Sequence, residues 1–358
     1  MEELNTFQKY FAEEFYEDYR EGLLTRRQFI RRMVYITGNM AAAVSTMSLL
    51  GCSPAELPAP TDPIPAAVPA SSLVPTATPA PTATLPPATA TMAPAPTASP
   101  TAATTPTEAA TAQIQPVPGA KSPLSVPEGD PAVISSKVTF PNQGAEITAY
   151  LTRPVADGVY PAVLVCHENR GLTPHIKDMA RRFAKVGYVA LAIDLLSREG
   201  GTDALNADEI PGLLSGAPAE RHVGDFAAGL KYLQSLNYVA GNRIGMTGYC
   251  FGGGIAWRCA VALPELKAVV PFYGPAPDLA QVPNIKAAVF GVYAELDQRI
   301  TSSKAPLEQA LKAAGITYQM KVYPGVNHAF NNDTGQRYDE TQATQAWQDT
   351  LAWFAKYL

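Results

Sequence analysis

The chain has 358 residues, a formal net charge of -5 at pH 7 and four cysteines. No Lys- or Arg-rich segment lies in its C-terminal two-thirds, so the electrostatic footprint of a nucleic-acid-binding protein is missing and nucleic acid is excluded as an expected partner. The cysteines lack the paired CxxC spacing of structural zinc and are too few for a disulfide scaffold, so the sequence predicts no metal site.

Residues 1–52 have the pattern of an export signal. The segment Thr25 to Arg31 contains two adjacent arginines followed by two bulky apolar residues, and a mildly apolar run from Met33 to Leu50 comes next. This resembles a bacterial twin-arginine signal. The run is marginal in length for a bilayer of about 30 Å, which favours a translocated signal over a permanent span.

A lipid anchor is predicted at the end of this run. Leu49-Leu50-Gly51-Cys52 resembles a lipobox, so we expect Cys52 to be lipidated and to become the mature N-terminus. The protein would then be exported and attached to the outer face of the cytoplasmic membrane. The alternative is a signal-anchored membrane protein in which Cys52 has no role.

Ahead of the arginines, the sequence predicts a short amphipathic helix, an unusual feature for a signal. Aromatic and apolar residues recur there at helical spacing among glutamates. These residues are Leu4, Phe7, Phe11, Phe15 and Tyr19.

Residues 53–125 are predicted to form a disordered linker. From Ser53 to Pro118 the sequence contains 17 of the 33 prolines, interleaved with alanine and threonine, and no Lys, Arg, Phe, Tyr or Trp. Such a segment has too few large apolar side chains to bury a core. It is expected to act as an extended spacer between the membrane and the folded domain.

Residues 126–358 are predicted to form one α/β domain, with a mainly parallel, doubly wound sheet and helices on both faces. Two alternating stretches from Ala132 to Pro154 indicate an antiparallel pair. Apolar runs then alternate with helical segments, as in a parallel sheet. The predicted strands are 161–166, 188–193, 243–249, 268–272, 287–293 and 318–323, and the predicted helices are 176–186, 219–236, 253–263, 303–314 and 339–357.

A candidate nucleophile follows the third of these runs. The string Gly248-Tyr249-Cys250-Phe251-Gly252 lies between an apolar strand and a helix, which is the arrangement of a nucleophile elbow. A helix N-terminus stabilises a thiolate, and the amide of Phe251 can face a developing oxyanion there. The pattern therefore predicts an α/β-hydrolase whose nucleophile is Cys250.

A base and an acid should follow the nucleophile along the chain. His328 comes directly after the last predicted strand and is the only histidine that follows Cys250. Asp278 and Asp297 both follow strands between them. We prefer Asp297, because it comes after the strand next but one to the nucleophile strand, whereas Asp278 lies among prolines and is expected to cap a helix.

Taken together, these motifs resemble the dienelactone hydrolase family. The shared motifs are Gly248-Tyr249-Cys250-Phe251-Gly252-Gly253, Asp297, Asn327-His328-Ala329-Phe330 and Cys166-His167-Glu168-Asn169-Arg170-Gly171. The resemblance implies an α/β-hydrolase fold and a Glu168 that hydrogen-bonds the resting thiol and takes part in its activation. It also implies an oxyanion hole formed by the backbone amides of Phe251 and Asn169.

One position departs from the family pattern. Founding members hold a substrate carboxylate with arginines, one of them four residues after the catalytic histidine, and Asn332 stands there in this chain. Arg170, Arg198 and Arg337 are the candidate replacements.

The predicted activity is hydrolysis of a small ester or lactone, similar to that of a carboxymethylenebutenolidase, through an acyl-thiol intermediate. No metal or organic cofactor is expected, and we expect a monomer. Two alternatives come from other classes. One is a lipid-tethered, non-catalytic binding module, and the other is a thiol redox protein that uses Cys250 with Cys166 as its partner.

Overall fold

The computed structural model describes residues 4–51 and 114–358, which belong to one compact unit. The predicted lipidation site Cys52 and residues 53–113 of the predicted linker lie outside the described residues.

Within the described residues, one sheet carries the fold. Its eight strands lie in the order β1-β2-β4-β3-β5-β6-β7-β8. β2 is antiparallel to both β1 and β4, and the remaining neighbours are parallel. This confirms the predicted mainly parallel sheet and its antiparallel start. The strands are β1 Val133–Asn142, β2 Ala145–Pro154, β3 Tyr160–Cys166, β4 Val189–Ile193, β5 Val239–Tyr249, β6 Ala268–Phe272, β7 Ala288–Ala294 and β8 Tyr318–Tyr323.

The central strands are apolar throughout because both faces of the sheet are covered. Every residue of β4, β6 and β7 is buried. A strand buried on both faces shows a continuous apolar run, whereas a half-exposed strand alternates apolar with polar residues. The half-exposed β1 alternates in that way, which is why the sequence distinguishes it from the parallel strands.

Helices cover both sides of the sheet. Those that follow β3 along the chain are α4 Pro174–Lys185, α5 Ile210–Gly216, α6 Ala219–Ser235, α7 Phe251–Ala262, α8 Gln298–Thr301, α9 Lys304–Ala313 and α10 Glu340–Tyr357. Sequence periodicity does not predict α5 and α8, because 7 and 4 residues are too few to show a helical pattern.

Three further helices precede the sheet: α1 Thr6–Arg20, α2 Arg26–Thr37 and α3 Met40–Leu49. We call residues 4–51 the N-terminal cap. Gly38 ends α2 in the left-handed conformation, with φ of 83°, and Asn39 caps α3. This break in the helix at Gly38 and Asn39 divides the apolar run of the predicted signal between two short helices. Among the described residues, no helix combines the length and the apolar character needed to cross a membrane.

The apolar face of α1 packs against the hydrolase domain. Phe11 and Phe15 are fully buried, and the ring of Phe7 lies 4.7 Å from that of Phe251 at the start of α7. Burial of one such side chain contributes about 1.5–3 kcal/mol. On α2, Arg32 pairs with Asp208 of the domain at 3.2 Å. The predicted amphipathic helix is thus present, and its apolar side contacts the domain.

Residues 114–125, which the sequence assigns to the linker, also lie against the domain. Gln115 forms an isolated bridge with Glu128, and Val117 is buried. The Nζ of Lys121 donates a 2.8 Å hydrogen bond to the carbonyl of Gly335. Amino-acid composition does not predict these contacts, because they involve backbone groups such as those of the Gln115–Glu128 bridge.

Candidate active site

Cys250 lies at a sharp turn between β5 and α7. Its backbone is in an unusual region, with φ of 59° and ψ of -122°. A Cβ on Gly248 would collide with the carbonyl of Gly252, and a Cβ on Gly252 would collide with the carbonyl of His167. The glycines are therefore required by close backbone approach, which holds the strained cysteine at the carboxyl end of the strand.

His328 and Asp297 meet at the carboxyl ends of neighbouring strands, β8 and β7. The Nδ1–H of His328 donates a 2.6 Å hydrogen bond to Oδ2 of Asp297, and both side chains are buried. This bond leaves the Nε2 of a neutral imidazole as an acceptor. Asp278, the alternative acid, instead accepts a hydrogen bond from the amide of Ala280 and caps the turn that follows it.

The electrostatics of this pair favour a charged imidazole. Burial opposes the charged form, but the charge of Asp297 and its hydrogen bond hold the pKa of His328 above its usual value. Burial likewise opposes the carboxylate, but His328 and then Arg299 hold the pKa of Asp297 below its usual value. The imidazolium that forms when His328 accepts a proton is thereby stabilised.

The Cys250 thiol is covered by helix α1. Its Sγ lies 3.2 Å from the hydroxyl of Tyr10, and it donates to the carboxylate of Glu14 at 3.5 Å. Only 2% of Cys250 is exposed. Burial, followed by the charges of Glu14 and Glu168, raises the pKa of the thiol well above its usual value, against the hydrogen bonds of Tyr10 and the Phe251 amide.

Tyr10 joins the candidate nucleophile to the candidate base. Its hydroxyl is 3.2 Å from Sγ of Cys250 and also 3.2 Å from Nε2 of His328. With Nδ1–H of His328 bound to Asp297 and the single thiol proton directed at Glu14, the one proton of the Tyr10 hydroxyl faces two acceptors, Nε2 and Sγ. Burial and the charge of Cys250 raise the pKa of Tyr10 well above its usual value, so the hydroxyl keeps its proton.

Glu168 and Asn169 lie beside the elbow, and their side chains make the following contacts. Oε2 of Glu168 accepts a 2.7 Å hydrogen bond from Asn332, the residue at the position of the family's arginine. The side chain of Asn169 donates to Glu14 at 2.7 Å. The Cys250 thiol instead hydrogen-bonds with Tyr10 and Glu14 of α1 and with the Phe251 amide.

A cavity of about 360 Å³ opens beside the thiol. Arg170 and Arg337 line it, and Arg337 is paired with Asp18 at 2.9 Å. Arg198, the third predicted substrate-binding arginine, is absent from the lining. Its guanidinium is held at 2.6 Å by Asp225, so we correct its assignment to that of a structural ion pair.

Within the described residues, the remaining histidines have hydrogen-bond partners and the remaining cysteines are buried. His167 hydrogen-bonds the Glu168 carbonyl and accepts from the amide of Leu195, and burial lowers its pKa. Burial lowers the pKa of His222 to about 4. Cys166 is fully buried, and burial followed by the charge of Cys259 raises its pKa well above the usual value, which does not favour the redox alternative.

Among the residues that the structure describes, one group of side chains has the donor types of a metal site. Ligand atoms of Glu14, Cys250 and His328 lie within 4.8 Å of one another, and zinc accepts all three types. The hydroxyl of Tyr10 already joins two of them by hydrogen bonds, so the grouping is held together without an ion.

The sequence missed Tyr10, Glu14 and Tyr273 as members of the site. The ring of Tyr273 packs edge-on against His328 at 4.9 Å between centroids. The sequence feature that bears on Tyr10 and Glu14 is the amphipathic pattern of residues 1–24. That pattern predicts a helix but not the surface that the helix contacts.

Comparison with known proteins places the C-terminal part of the chain in one family. Residues 147–358 match the model of the dienelactone hydrolase family. A protein of Salmonella typhi, named "Putative carboxymethylenebutenolidase", is 36% identical over 257 residues, which cover 68% of this chain and 94% of that protein. A similarly named protein of Methylorubrum extorquens is 34% identical and covers 63% of this chain and 82% of the relative.

Solved structures show the same fold. A dienelactone hydrolase structure from Klebsiella pneumoniae, also titled "putative", is 34% identical with a TM-score of 0.59, and it matches 63% of this chain and all of its own chain. The structure of the promiscuous phosphotriesterase P91, which is dienelactone hydrolase-like, has a TM-score of 0.58 at 22% identity, which supports the fold alone. With a matched family model over more than half its length, the chain belongs to the dienelactone hydrolase family of ester and lactone hydrolases.

Proposed function

We propose that this protein hydrolyses a small ester or lactone with Cys250 as nucleophile, His328 as general base and acid, and Asp297 as the residue that orients the imidazole. The observation that carries the proposal is the 2.6 Å hydrogen bond from Nδ1 of His328 to Asp297. It leaves Nε2 as the acceptor, on the side of the ring where a hydroxyl links it to the Cys250 thiol.

The proposed reaction has two halves. The Sγ of Cys250 attacks the carbonyl carbon while the thiol proton passes to Nε2 of His328. The alcohol oxygen leaves with that proton, and the acyl group stays on sulfur. Water then attacks the acyl carbon and gives a proton to His328, the carbon–sulfur bond breaks, and the thiolate recovers the proton as the carboxylic acid departs.

Two backbone amides are proposed to stabilise the negative charge on the carbonyl oxygen in both halves. The amide of Phe251 follows the nucleophile at the start of α7, and the amide of Asn169 follows β3 beside it. Such preorganised donors contribute a large share of catalysis, on the order of 3 kcal/mol for one donor. Glu168, on the wall of the same cavity, is proposed to assist thiol activation when substrate enters.

The relatives' name makes a carboxymethylenebutenolide the first substrate to test. Arg170 and Arg337 line the cavity and supply the positive charge that a substrate carboxylate needs. We therefore propose that these two arginines, and not Arg198, orient an anionic substrate.

The proposal is tested by measuring the hydrolysis of p-nitrophenyl acetate and a dienelactone under reducing conditions. We expect turnover by the full chain to disappear in Cys250→Ala and to fall strongly in Cys250→Ser, because a serine hydroxyl is far harder to ionise than a thiol. Cys259→Ala, which changes a buried cysteine within α7, the helix that follows Cys250, is the matched control. Turnover that survives Cys250→Ala would refute the proposed nucleophile.

Export and lipidation are proposed on sequence alone. The arginine pair of the predicted signal and the lipobox-like ending at Cys52 support attachment to the outer face of the cytoplasmic membrane. Palmitate labelling of the expressed protein, with Cys52→Ser as the control, tests this, and equal labelling of both proteins would contradict it.

A further inference from the structure

Helix α1 and its C-cap residue Glu21 place four polar side chains on the candidate active site. Tyr10 and Glu14 contact the Cys250 thiol, while Asp18 and Glu21 pair with Arg337 at 2.9 and 2.7 Å. These residues lie one turn apart, so a single helical face presents them together. This helical face therefore contacts the proposed nucleophile Cys250, the proposed base His328 and the candidate substrate-binding Arg337.

The hydroxyl of Tyr10 lies between the proposed nucleophile and the proposed base, where the substrate would have to react. Its hydroxyl is within 3.2 Å of both the nucleophile Sγ and the base Nε2. In the proposed reaction the leaving alcohol oxygen must take a proton from that same nitrogen. With Tyr10 in place, both atoms are satisfied and the thiol is shielded.

Glu14 opposes the reaction electrostatically. Its carboxylate lies 3.5 Å from the thiol and accepts the side-chain hydrogen bond of Asn169. A negative charge there disfavours both a thiolate and the oxyanion that forms after attack. A carboxylate beside the nucleophile also has the chemical form of the reaction product.

Asp18 and Glu21 form ion pairs with the guanidinium of Arg337, which lines the cavity. Two oxygens from different carboxylates hold Arg337, and Glu21 also accepts from Asn327, the neighbour of His328. With the cap in place, these two carboxylates neutralise the positive charge of Arg337, which is then not available to bind a substrate carboxylate. The cap thus neutralises one of the two candidate substrate-binding arginines.

We propose that the N-terminal cap is an autoinhibitory pseudo-product: helix α1 fills the active site with its own carboxylates and hydroxyl, and the full chain hydrolyses an ester or lactone only in the minority of molecules whose cap has undocked. This inference rests on the proposed function, because it assigns the capped state as the inactive form of that enzyme. The cap lies outside the family match at 147–358.

The chain offers a route for the cap to leave. Residues 52–113 separate the cap from the domain in sequence, so the cap is a tethered ligand whose local concentration depends on that tether. Cleavage before Cys52, at the predicted lipobox, would cut the tether and turn docking into a bimolecular equilibrium. Dilution would then favour the open site.

The first experiment uses single substitutions in the full chain. Glu14→Gln keeps the size of the side chain but removes the charged acceptor of the Asn169 and thiol hydrogen bonds, and we expect weaker docking of the cap to raise kcat/KM for p-nitrophenyl acetate about tenfold, as the loss of one charge-assisted hydrogen bond would give. The matched control is Glu13→Gln, which changes the neighbouring carboxylate, one that is absent from the active-site cavity. A fall in kcat/KM with Glu14→Gln or Tyr10→Phe would mean that α1 assists catalysis, and would overturn the proposal.

The second experiment cuts the tether at a protease site placed within residues 53–113. We expect specific activity and the rate of Cys250 alkylation by iodoacetamide, followed by peptide mass spectrometry, both to rise on dilution of the cut protein. A synthetic peptide of residues 4–24 should reverse both effects, and the same peptide with Tyr10→Phe and Glu14→Gln should reverse them less. Unchanged alkylation on dilution would overturn the proposal.

The two readouts separate this inference from the proposed function. Faster alkylation without any ester hydrolysis would support the cap and refute the hydrolase mechanism. Cys250-dependent hydrolysis that is equal in cut and uncut protein would support the mechanism and refute the cap.

Discussion

The hydroxyl of Tyr10 lies 3.2 Å from the Nε2 of His328, although the two residues are 318 positions apart in the chain. This contact joins the N-terminal cap to the imidazole that is proposed to carry protons during ester hydrolysis. The other nitrogen of the same ring is bound to Asp297 at 2.6 Å. The protonation state of His328 therefore responds to a residue of the domain on one side and to the cap on the other.

Asp297→Asn should lower kcat for p-nitrophenyl acetate by on the order of 10⁴-fold, because the amide no longer fixes the tautomer or stabilises the imidazolium. Asp278→Asn is the control, since Asp278 caps a turn away from the imidazole and should leave kcat nearly unchanged. Steady-state kinetics on both variants test this. Equal kcat values for the two variants would remove Asp297 from the mechanism.

The pH profile of kcat/KM should have an acidic limb above the ordinary histidine value of about 6.5. The pKa of His328 is raised by the charge of Asp297 and, more weakly, by that of Glu14, after the opposing effect of burial. A general base must be neutral, so activity should rise as pH increases through this raised pKa. Glu14→Gln removes one of the negative charges and should move the limb to lower pH.

Glu13→Gln is the control for that shift, and both profiles are measured with the same ester between pH 5 and 9, a range chosen to bracket the histidine value. An acidic limb that lies below 6.5 in the wild-type protein would contradict the assigned electrostatics of His328.

Gly248→Ala should abolish folding or lower stability by several kcal/mol. The added methyl group would collide with the backbone carbonyl of Gly252, which cannot move without displacing the start of α7. Gly216→Ala is the control, because a Cβ there has no neighbour within 4 Å and the residue ends α5 in an ordinary conformation. Thermal unfolding followed by circular dichroism checks both, and a Gly248→Ala protein as stable as the control would contradict the packing of the elbow.

Asp333→Asn should lower the free energy of unfolding near neutral pH by about 3 kcal/mol, because it breaks a buried ion pair with Arg182 at 2.7 Å. Burial opposes the carboxylate, but the hydrogen bond from His175 and the charge of Arg182 lower the pKa of Asp333 to about 2. A lowered pKa contributes stability above the unfolded value near 3.9, and that stability is lost as pH falls toward 2.

Denaturant unfolding at several pH values measures this effect. The difference between wild type and Asp333→Asn should shrink as pH falls from 4 to 2. Asp203→Asn, which alters an exposed and weakly paired carboxylate, should differ little from wild type at any pH. A constant difference across that pH range would show that Asp333 is not ionised in the folded protein.

The fold was predictable because its signals are local. Each parallel strand is a short apolar run between helices, and the Gly248-to-Gly252 string lies between an apolar strand and a helix, the context that a tight strand-to-helix turn requires. Chain order and strand ends then predicted that Cys250, His328 and Asp297 would converge at one edge of the sheet. The structure places all three there, buried and linked through hydrogen bonds, while their roles in catalysis stay predictions.

The covering of the site was not predictable, because it depends on contacts between distant parts of the chain. The aromatic spacing in residues 1–24 predicted an amphipathic helix, but no local pattern says that its polar side would reach Cys250, 240 residues away from Tyr10. The same limit applies to Arg198, whose distance from the cavity follows from its pairing with Asp225 on α6. Sequence spacing predicts elements, whereas side-chain partners depend on how those elements pack.

The most direct test of the central claim is to identify the residue that carries the acyl group. Full-chain protein is mixed with p-nitrophenyl acetate under reducing conditions, quenched in acid, digested and analysed by peptide mass spectrometry. The proposed mechanism predicts an acetyl group on the peptide that contains Cys250, formed at the rate of the nitrophenol burst and absent in Cys250→Ala. Nitrophenol release with no acetyl on that peptide, or with acetyl on another residue, would contradict it.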